Sequence, residues 1–247
     1  GRLRYNIRQL VAMGTYSRNA LQQLRAETGI QYDQLSRGIL HFYTSPAAWQ
    51  AAQHAANLMR EAGCTLDPKS ADECVAIEPA LASFSDRIIG GTYTPDDESG
   101  DAHRFTQELA ELCAARGVIF HYGTSVQELL RKSHNTISAV RLRTADGTVE
   151  SLTADGWVVC LGVHSAPLLR PLSVDLRIYP VKGYSVTLPV IDPQRAYTVS
   201  LTDDEHKLVF SRLGERLRIA GTAEFAGYDT SLNAARCDAI LRRTAEL

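Results

Sequence analysis

Gly156-Trp157-Val158-Val159-Cys160-Leu161-Gly162 is the stretch on which the fold of this chain turns. Its apolar residues run continuously, without the alternation of a half-exposed strand, and predict a short strand buried on both faces. Glycine then follows at the carboxyl end, where open α/β sheets receive ligands and where a residue without a side chain lets one approach the backbone. The plainer alternative is that Gly162 only turns the chain after a core strand.

Upstream of this run, Asp146-Gly147 marks a hairpin joining a strand over 136–143 to one over 149–153. Before it, Val118-Ile119-Phe120-His121-Tyr122 predicts a further strand. A helix capped by Asp101 precedes that strand, carries Phe105, Leu109, Leu112 and Cys113, and stops at Gly117. Earlier still, spacing and punctuation predict helices over 3–28 (stopped by Gly29), from Ser45-Pro46 to 61, and over 71–77. Strands are predicted over 38–43 and 88–94. Downstream, a helical turn over 166–169 leads to Pro171. The pattern then becomes that of an antiparallel sheet over 177–188, 197–202, 207–213 and 217–222, with a last helix from about Ser231. The fold class expected is α/β in the wide sense (α+β), with a mainly antiparallel sheet beside part of a nucleotide-binding layer. The expected division is 1–100 as the first part of a substrate-type domain, 101–170 as the nucleotide-layer segment, and 171–247 as the second part of the substrate-type domain.

Composition narrows the function classes. With 247 residues, 45% of them hydrophobic, and a formal net charge of −2, the chain reads as an ordinary globular protein without the basic stripe of a nucleic-acid binder. Its five cysteines form no C-x-x-C pair and its seven histidines show no metal-ligand spacing, so neither a disulfide framework nor a metal site is expected. Reduced thiols point to a cytosol, with a peripheral place on the inner face of the plasma membrane left open. No apolar run reaches the roughly 20 residues of a membrane span and no signal peptide opens the chain. The chain begins at Gly1 and ends at Leu247, in both cases within a helical pattern, which leads us to expect a piece of a longer protein.

Four segments carry candidate chemistry. The first is the 117–126 strand with the 156–165 run, near which His164 is the one histidine of interest. The second is Tyr179-Pro180-Val181-Lys182-Gly183-Tyr184-Ser185, where an ammonium and a phenol two residues apart share one face of a strand. They would orient an anionic substrate group or a flavin carbonyl, or else form an ordinary half-solvated pair. The third, Pro95–Asp101, lacks the ligand spacing of a calcium loop and reads as an acidic turn whose last Asp caps a helix. The fourth, Ala220–Tyr228, carries glycines that fit either a sheet edge bending over a ligand or a strand end and loop. His41 and His121 read as structural residues within strands. There is no Ser-His-Asp spacing, no Walker loop and no G-x-G-x-x-G.

In the same order along the chain, YSRNALQQLRAETGIQY (16–32), PDDESGDAHRFT (95–106), WVVCLGVHS (157–165), YPVKGYSVT (179–187) and RIAGTAEFAGYD (218–229) resemble the FAD-dependent D-amino acid oxidase superfamily, and within it the D-amino acid dehydrogenase branch. That resemblance implies an FAD domain of the two-dinucleotide type and a sheet-based substrate domain. It implies oxidative deamination of D-amino acids to 2-oxo acids and ammonia, with electrons passed to an acceptor such as a quinone. By the same likeness, Val126, Cys160, Gly162 and Gly183 are the cofactor-side positions, and Lys182 and Tyr184 the substrate-side ones. No catalytic acid or base is implied, since the flavin carries the hydride step. The family's glycine motif for the FAD pyrophosphate and its carboxylate-binding Arg lie outside these residues, so the 247 residues alone are expected not to hold FAD and to be inactive. Two rival readings stay open: a glycine or sarcosine oxidase-like flavoenzyme, and a non-catalytic binding module of the same fold.

Overall fold

The computed structural model describes residues 1–133 and 136–247. Helical periodicity at the start becomes α1 (Arg2–Thr28), closed by Gly29 at φ 72°, a left-handed conformation that glycine adopts without a steric penalty. After β1 (Ile39–Tyr43), Ser45 caps α2 (Pro46–Glu61) by accepting the Ala48 N–H at 3.2 Å, with Pro46 in the first turn. A short strand β2 (Asp67–Lys69) precedes α3 (Ala71–Ile77), which opens on a capping box between Ser70 and Glu73. A 3₁₀ segment (Pro79–Arg87) and β3 (Gly90–Thr94) follow. Asp101 then caps α4 (Ala102–Ala115), its Oδ1 accepting from the N–H groups of His103 and Arg104 at 2.9 and 3.1 Å.

Next come β4 (Ser125–Ser133), β5 (Thr136–Arg143) and β6 (Val149–Leu152), then a short α5 (Ser165–Leu169). The chain finishes with β7 (Lys182–Pro189), β8 (Ser200–Asp203), β9 (Leu208–Leu213), β10 (Arg216–Glu224) and α6 (Ala234–Glu246), whose cap is Asn233.

These elements fall into two compact units. One comprises Gly1–Leu112, Gly183–Glu224 and Ser231–Leu247. It is organised by a seven-stranded sheet in the order β2-β3-β1-β8-β9-β10-β7. Its pairs are mainly antiparallel, with β1 and β8 running parallel. The register places Leu40 against Leu201, Leu201 against Phe210 and Phe210 against Ile219, so one face of the sheet is a row of fully buried apolar residues. Cys74 of α3, Leu81 and Phe84 of the 3₁₀ segment and Ile240 of α6 complete this core. Each such side chain contributes about 1.5–3 kcal/mol by leaving water. Two polar side chains buried with it make charge-assisted bonds, while Arg243 Nη2 has no partner among the described residues. Glu78 accepts from the N–H groups of Thr198 and Val199 at 2.6 and 2.9 Å, and Arg243 Nε donates to Asp203 Oδ2 at 2.7 Å. On the opposite face α2 packs over β1 and β3. There His41 is largely buried, and burial holds its imidazole below its ordinary pKa against the pull of Asp204 and Asp97.

The second unit comprises Cys113–Lys182 and Phe225–Thr230. Its sheet has three antiparallel strands in the order β4-β5-β6, and the β5–β6 turn is Asp146-Gly147. Two expected strands are absent from it. Residues 118–122 and 156–161 are not in strand, and neither run is buried: Ile119 is 79% and Val158 88% exposed. A continuous apolar run signals a demand for burial, but a strand also needs neighbours for its N–H and C=O groups. None of the described strands pairs with either run.

Smaller corrections follow from the same ladder logic. The strand expected from 177 starts at Lys182, and the last helix starts at Ala234. β2 and β4 were not legible as strands, being charged, short or polar. Among the described residues no helix is long and apolar enough to cross a membrane.

Candidate functional site

Strand β7 brings Lys182, Gly183 and Tyr184 into the first unit's sheet, beside β10. The pleat sends Lys182 and Tyr184 to one face and Gly183 and Ser185 to the other. Tyr184 is only 5% exposed and belongs to the core. Its hydroxyl donates to Glu224 Oε2 at 2.5 Å and accepts the Asn233 N–H at 3.3 Å. Asn233 itself caps α6, accepting from Ala235 N–H at 3.1 Å. Arg236, one turn into that helix, has its guanidinium 6.0 Å from the Tyr184 ring centroid and its Nε 3.9 Å from Glu224 Oε1. The phenol therefore ties β7, β10 and the start of α6 together. Lys182 is half-buried on the same face.

The other face of these strands is open. Gly183 and Ser185 of β7, Lys207 just before β9, and Arg218, Ala220 and Thr222 of β10 line a concavity of about 640 Å³. Lys207 and Thr222 both hold left-handed backbones, at φ 56° and 54°. Neither residue was singled out from the sequence. Lys207 closes the turn between β8 and β9, and Thr222 lies within β10. Among the described residues no group of three or more His, Cys, Asp or Glu is placed to hold a metal ion.

In the second unit, Val126 of β4 and Cys160 line one cavity of about 240 Å³, together with Leu129, Leu142, Trp157 and Leu161. Two sequence-predicted cofactor positions thus meet there. Gly162 follows this wall at φ 53° and opens a 3₁₀ turn, in which Ser165 Oγ accepts the Leu161 N–H at 3.1 Å. Trp157 Nε1 is buried without a hydrogen-bond partner, a donor left over in an otherwise aliphatic wall. An apolar wall with one unsatisfied donor suits a flat heteroaromatic group that offers an acceptor. His164 stacks on Tyr228 at 5.5 Å between ring centroids, and the Tyr228 hydroxyl donates to the Val163 carbonyl at 3.0 Å. Tyr228, the last residue of the fourth sequence segment, therefore packs on the residues just after Gly162 within the second unit. The acidic turn at 95–101 is used in ion pairs and capping: Arg25 makes paired bonds of 2.8 and 2.9 Å to Glu98, and Arg18 lies 3.5 Å from Asp97.

Comparison with known proteins places this geometry. The profile of the family described as "FAD dependent oxidoreductase" matches residues 1–247. The chain is 53% identical over 247 residues to a D-amino acid dehydrogenase of Dechloromonas aromatica (strain RCB), covering 100% of this chain and 59% of that protein. It is 48% identical over 246 residues to a D-amino acid dehydrogenase of Paramagnetospirillum magneticum (strain ATCC 700264 / AMB-1), covering 57% of it. The chain thus spans less than two thirds of the length of these relatives. Among solved structures it is similar to glycine oxidase from Geobacillus kaustophilus, with a TM-score of 0.80 and 23% identity over 96% of this chain and 62% of that one. It is likewise similar to L-proline dehydrogenase from P. horikoshii, with a TM-score of 0.80 and 14% identity over 94% of this chain and 61% of that one. At such identities the likeness concerns the fold.

Proposed function

The chain belongs to the FAD dependent oxidoreductase family, and from that premise we propose that it is the central part of a D-amino acid dehydrogenase. The reaction is oxidation of a D-amino acid to an imino acid, which water converts to a 2-oxo acid and ammonia. The observation that carries this reading is 53% identity over the whole chain to a D-amino acid dehydrogenase. The unit with the seven-stranded sheet is the substrate side, and the unit holding Val126 and Cys160 is part of the cofactor side. The division expected from the sequence, 1–100, 101–170 and 171–247, is the one this reading adopts.

FAD, when bound, supplies the two-electron acceptor for the substrate α-C–H bond. The chain's own residues fit it at two places: the aliphatic wall of Val126 and Cys160 with Gly162 beyond it, and the exposed backbone of Gly183, which presents no side chain to a planar group. Lys182 and Tyr184 belong to the substrate side, where Tyr184 acts as a strut that fixes the strand carrying Gly183. Holding the substrate with its α-hydrogen aimed correctly is the protein's contribution, which is why no general acid–base pair is called for. The part of the relatives' length that this chain does not span supplies the neighbours for 118–122 and 156–161 and the rest of the cofactor grip. Electrons leave to a carrier such as a membrane quinone, with the protein on the cytoplasmic face.

The test is made on the full-length protein. With D-alanine, an artificial dye should be reduced without peroxide formation. Peroxide in step with substrate loss would instead favour an oxidase of the glycine or sarcosine type, and no turnover of any D-amino acid would favour a binding module. The 247 residues alone should purify without flavin absorbance.

A further inference from the structure

We infer that the cavity between α2 and the sheet of the first unit binds a small organic monoamine in its protonated form. The cavity, of about 470 Å³, lies over β1 and β3, and Val126, Cys160, Gly162, Lys182, Gly183 and Tyr184 take no part in it. Its origin is a mismatch of side-chain length. Ala48, Ala51, Ala52, Ala55 and Ala56 recur at helical spacing and form the face of α2 turned to the cavity. Alanine ends at Cβ, so the helix covers this part of the sheet without filling the space beneath it. A volume of this size lies within the roughly 300–1,000 Å³ of small-molecule sites and far above the roughly 30 Å³ of one water.

The floor supplies the polar groups. Strand β1 turns His41 and Tyr43 toward α2. Its register with β3 pairs His41 with Thr92 and Ile39 with Thr94, so both threonines stand on that same face. Thr94 is 8% exposed, and its hydroxyl makes no hydrogen bond among the described residues. A buried hydroxyl without a partner is uncommon and costly, and this one lines the cavity. The His41 imidazole likewise has no hydrogen-bond partner among the described residues, and burial holds it below its ordinary pKa. At neutral pH it therefore offers a lone pair and not a charge.

The charge of the wall chooses among ligands. Asp97 and Asp204 line the cavity, and no lysine or arginine does. Both carboxylates pull the His41 pKa up against burial, so their field reaches the floor. Each already has a cation beside it, Arg18 at 3.5 Å from Asp97 and Lys207 at 3.2 Å from Asp204. The two acids are nevertheless 42% and 43% exposed, and ion pairs so solvated are weak enough to admit a further cation. An ammonium donates three hydrogen bonds, which a carboxylate, the imidazole nitrogen and a threonine hydroxyl accept. The alanine face, with Met59 and Leu66, receives a short hydrocarbon body. A simple carboxylic acid would bring like charge against Asp97 and Asp204 and is selected against.

The experiment uses the full-length flavoprotein, with n-butylammonium chloride as the probe and butyrate and n-butanol as controls, read by calorimetry and saturation-transfer NMR. n-Butylammonium should bind with a Kd of about 1 mM or tighter, and each control at least about tenfold more weakly. Thr94→Val, which keeps the shape and removes the hydroxyl, should weaken n-butylammonium about fivefold. Asp204→Asn should weaken it about threefold, a loss that high salt reproduces. Ala52→Leu fills the cavity from the helix side and should abolish binding; if that variant fails to fold, Thr94→Val decides alone. Binding is read without turnover, so the outcome holds whether or not the dehydrogenase reading does. No saturable binding of n-butylammonium, an affinity unchanged by Thr94→Val and Ala52→Leu, or equal binding of butyrate or n-butanol would each overturn the inference. So would a KM for D-alanine that followed n-butylammonium affinity through the three variants, since the cavity would then belong to the substrate site.

Discussion

Phe42 in β1 and Ile119 after α4 make the two units easy to compare, because both lie in apolar runs flanked by punctuation. Phe42 is fully buried, paired through the ladder to Gly91 on one side and Asp203 on the other. Ile119 is 79% exposed and in no ladder. Val158 repeats the pattern of Ile119 in the run 156–162. The seven-stranded unit thus contains, within the chain, nearly everything its apolar residues need: partner strands on both sides, and helices α3 and α6 over one face. The three-stranded unit satisfies its hairpin strands and leaves two apolar runs facing outward. Hydrophobicity states a requirement, and whether it is met depends on which other strands are at hand.

The largest expected effect tests that contrast directly. Phe42→Ala should destabilise the protein by about 3–5 kcal/mol, whereas Ile119→Ala should stay within about 0.5 kcal/mol, both read from urea unfolding of the 247-residue chain. Equal losses would mean that the second unit buries its run after all. A smaller effect concerns the strut in the first unit. Tyr184→Phe leaves Glu224 and the Asn233 N–H without their shared partner and should cost about 1–3 kcal/mol. Its measurable consequence is faster amide exchange at the start of α6, and unchanged exchange there would show that the hydroxyl holds nothing.

The smallest effect is one of pH. Burial pushes the Glu205 carboxyl up, but hydrogen bonds from Thr44 and Ser45 outweigh it and hold the pKa below 4.5. A depressed carboxyl stabilises the fold above its unfolded pKa, and that contribution is lost as pH falls through the folded value. In the second unit, the Thr144 hydroxyl and the Thr148 N–H hold Asp146 down to about 2, from 3.8. On acidification, NMR should therefore show the Asp146 hairpin turn holding its form until close to pH 2. A titration midpoint for Asp146 near 3.8 would remove the hydrogen bonds from the account.

Much of this was legible one residue at a time. The caps at Ser45 and Asp101, the stop at Gly29 and the Asp146-Gly147 turn each act through neighbours a few residues away, so local sequence states them. The alternation that puts Lys182 and Tyr184 on one face and Gly183 on the other was equally legible, since it needs only a pleat. That Tyr184 would be spent on Glu224 and Asn233 was not, because those partners lie 40 and 49 residues away in sequence. Val126 and Cys160 were named from resemblance, and only the folded chain brings them to one cavity.

The amino-acid sequence alone therefore determined the family, the caps, the turns and the identity of most strands, all of which depend on short-range stereochemistry or on motifs kept in order. Only the tertiary structure decided which apolar runs became strands and which groove carries positive charge. It also decided where a lysine and a threonine are forced into left-handed backbones. These are properties of how strands and helices pack against one another, which the pattern of a single segment does not state.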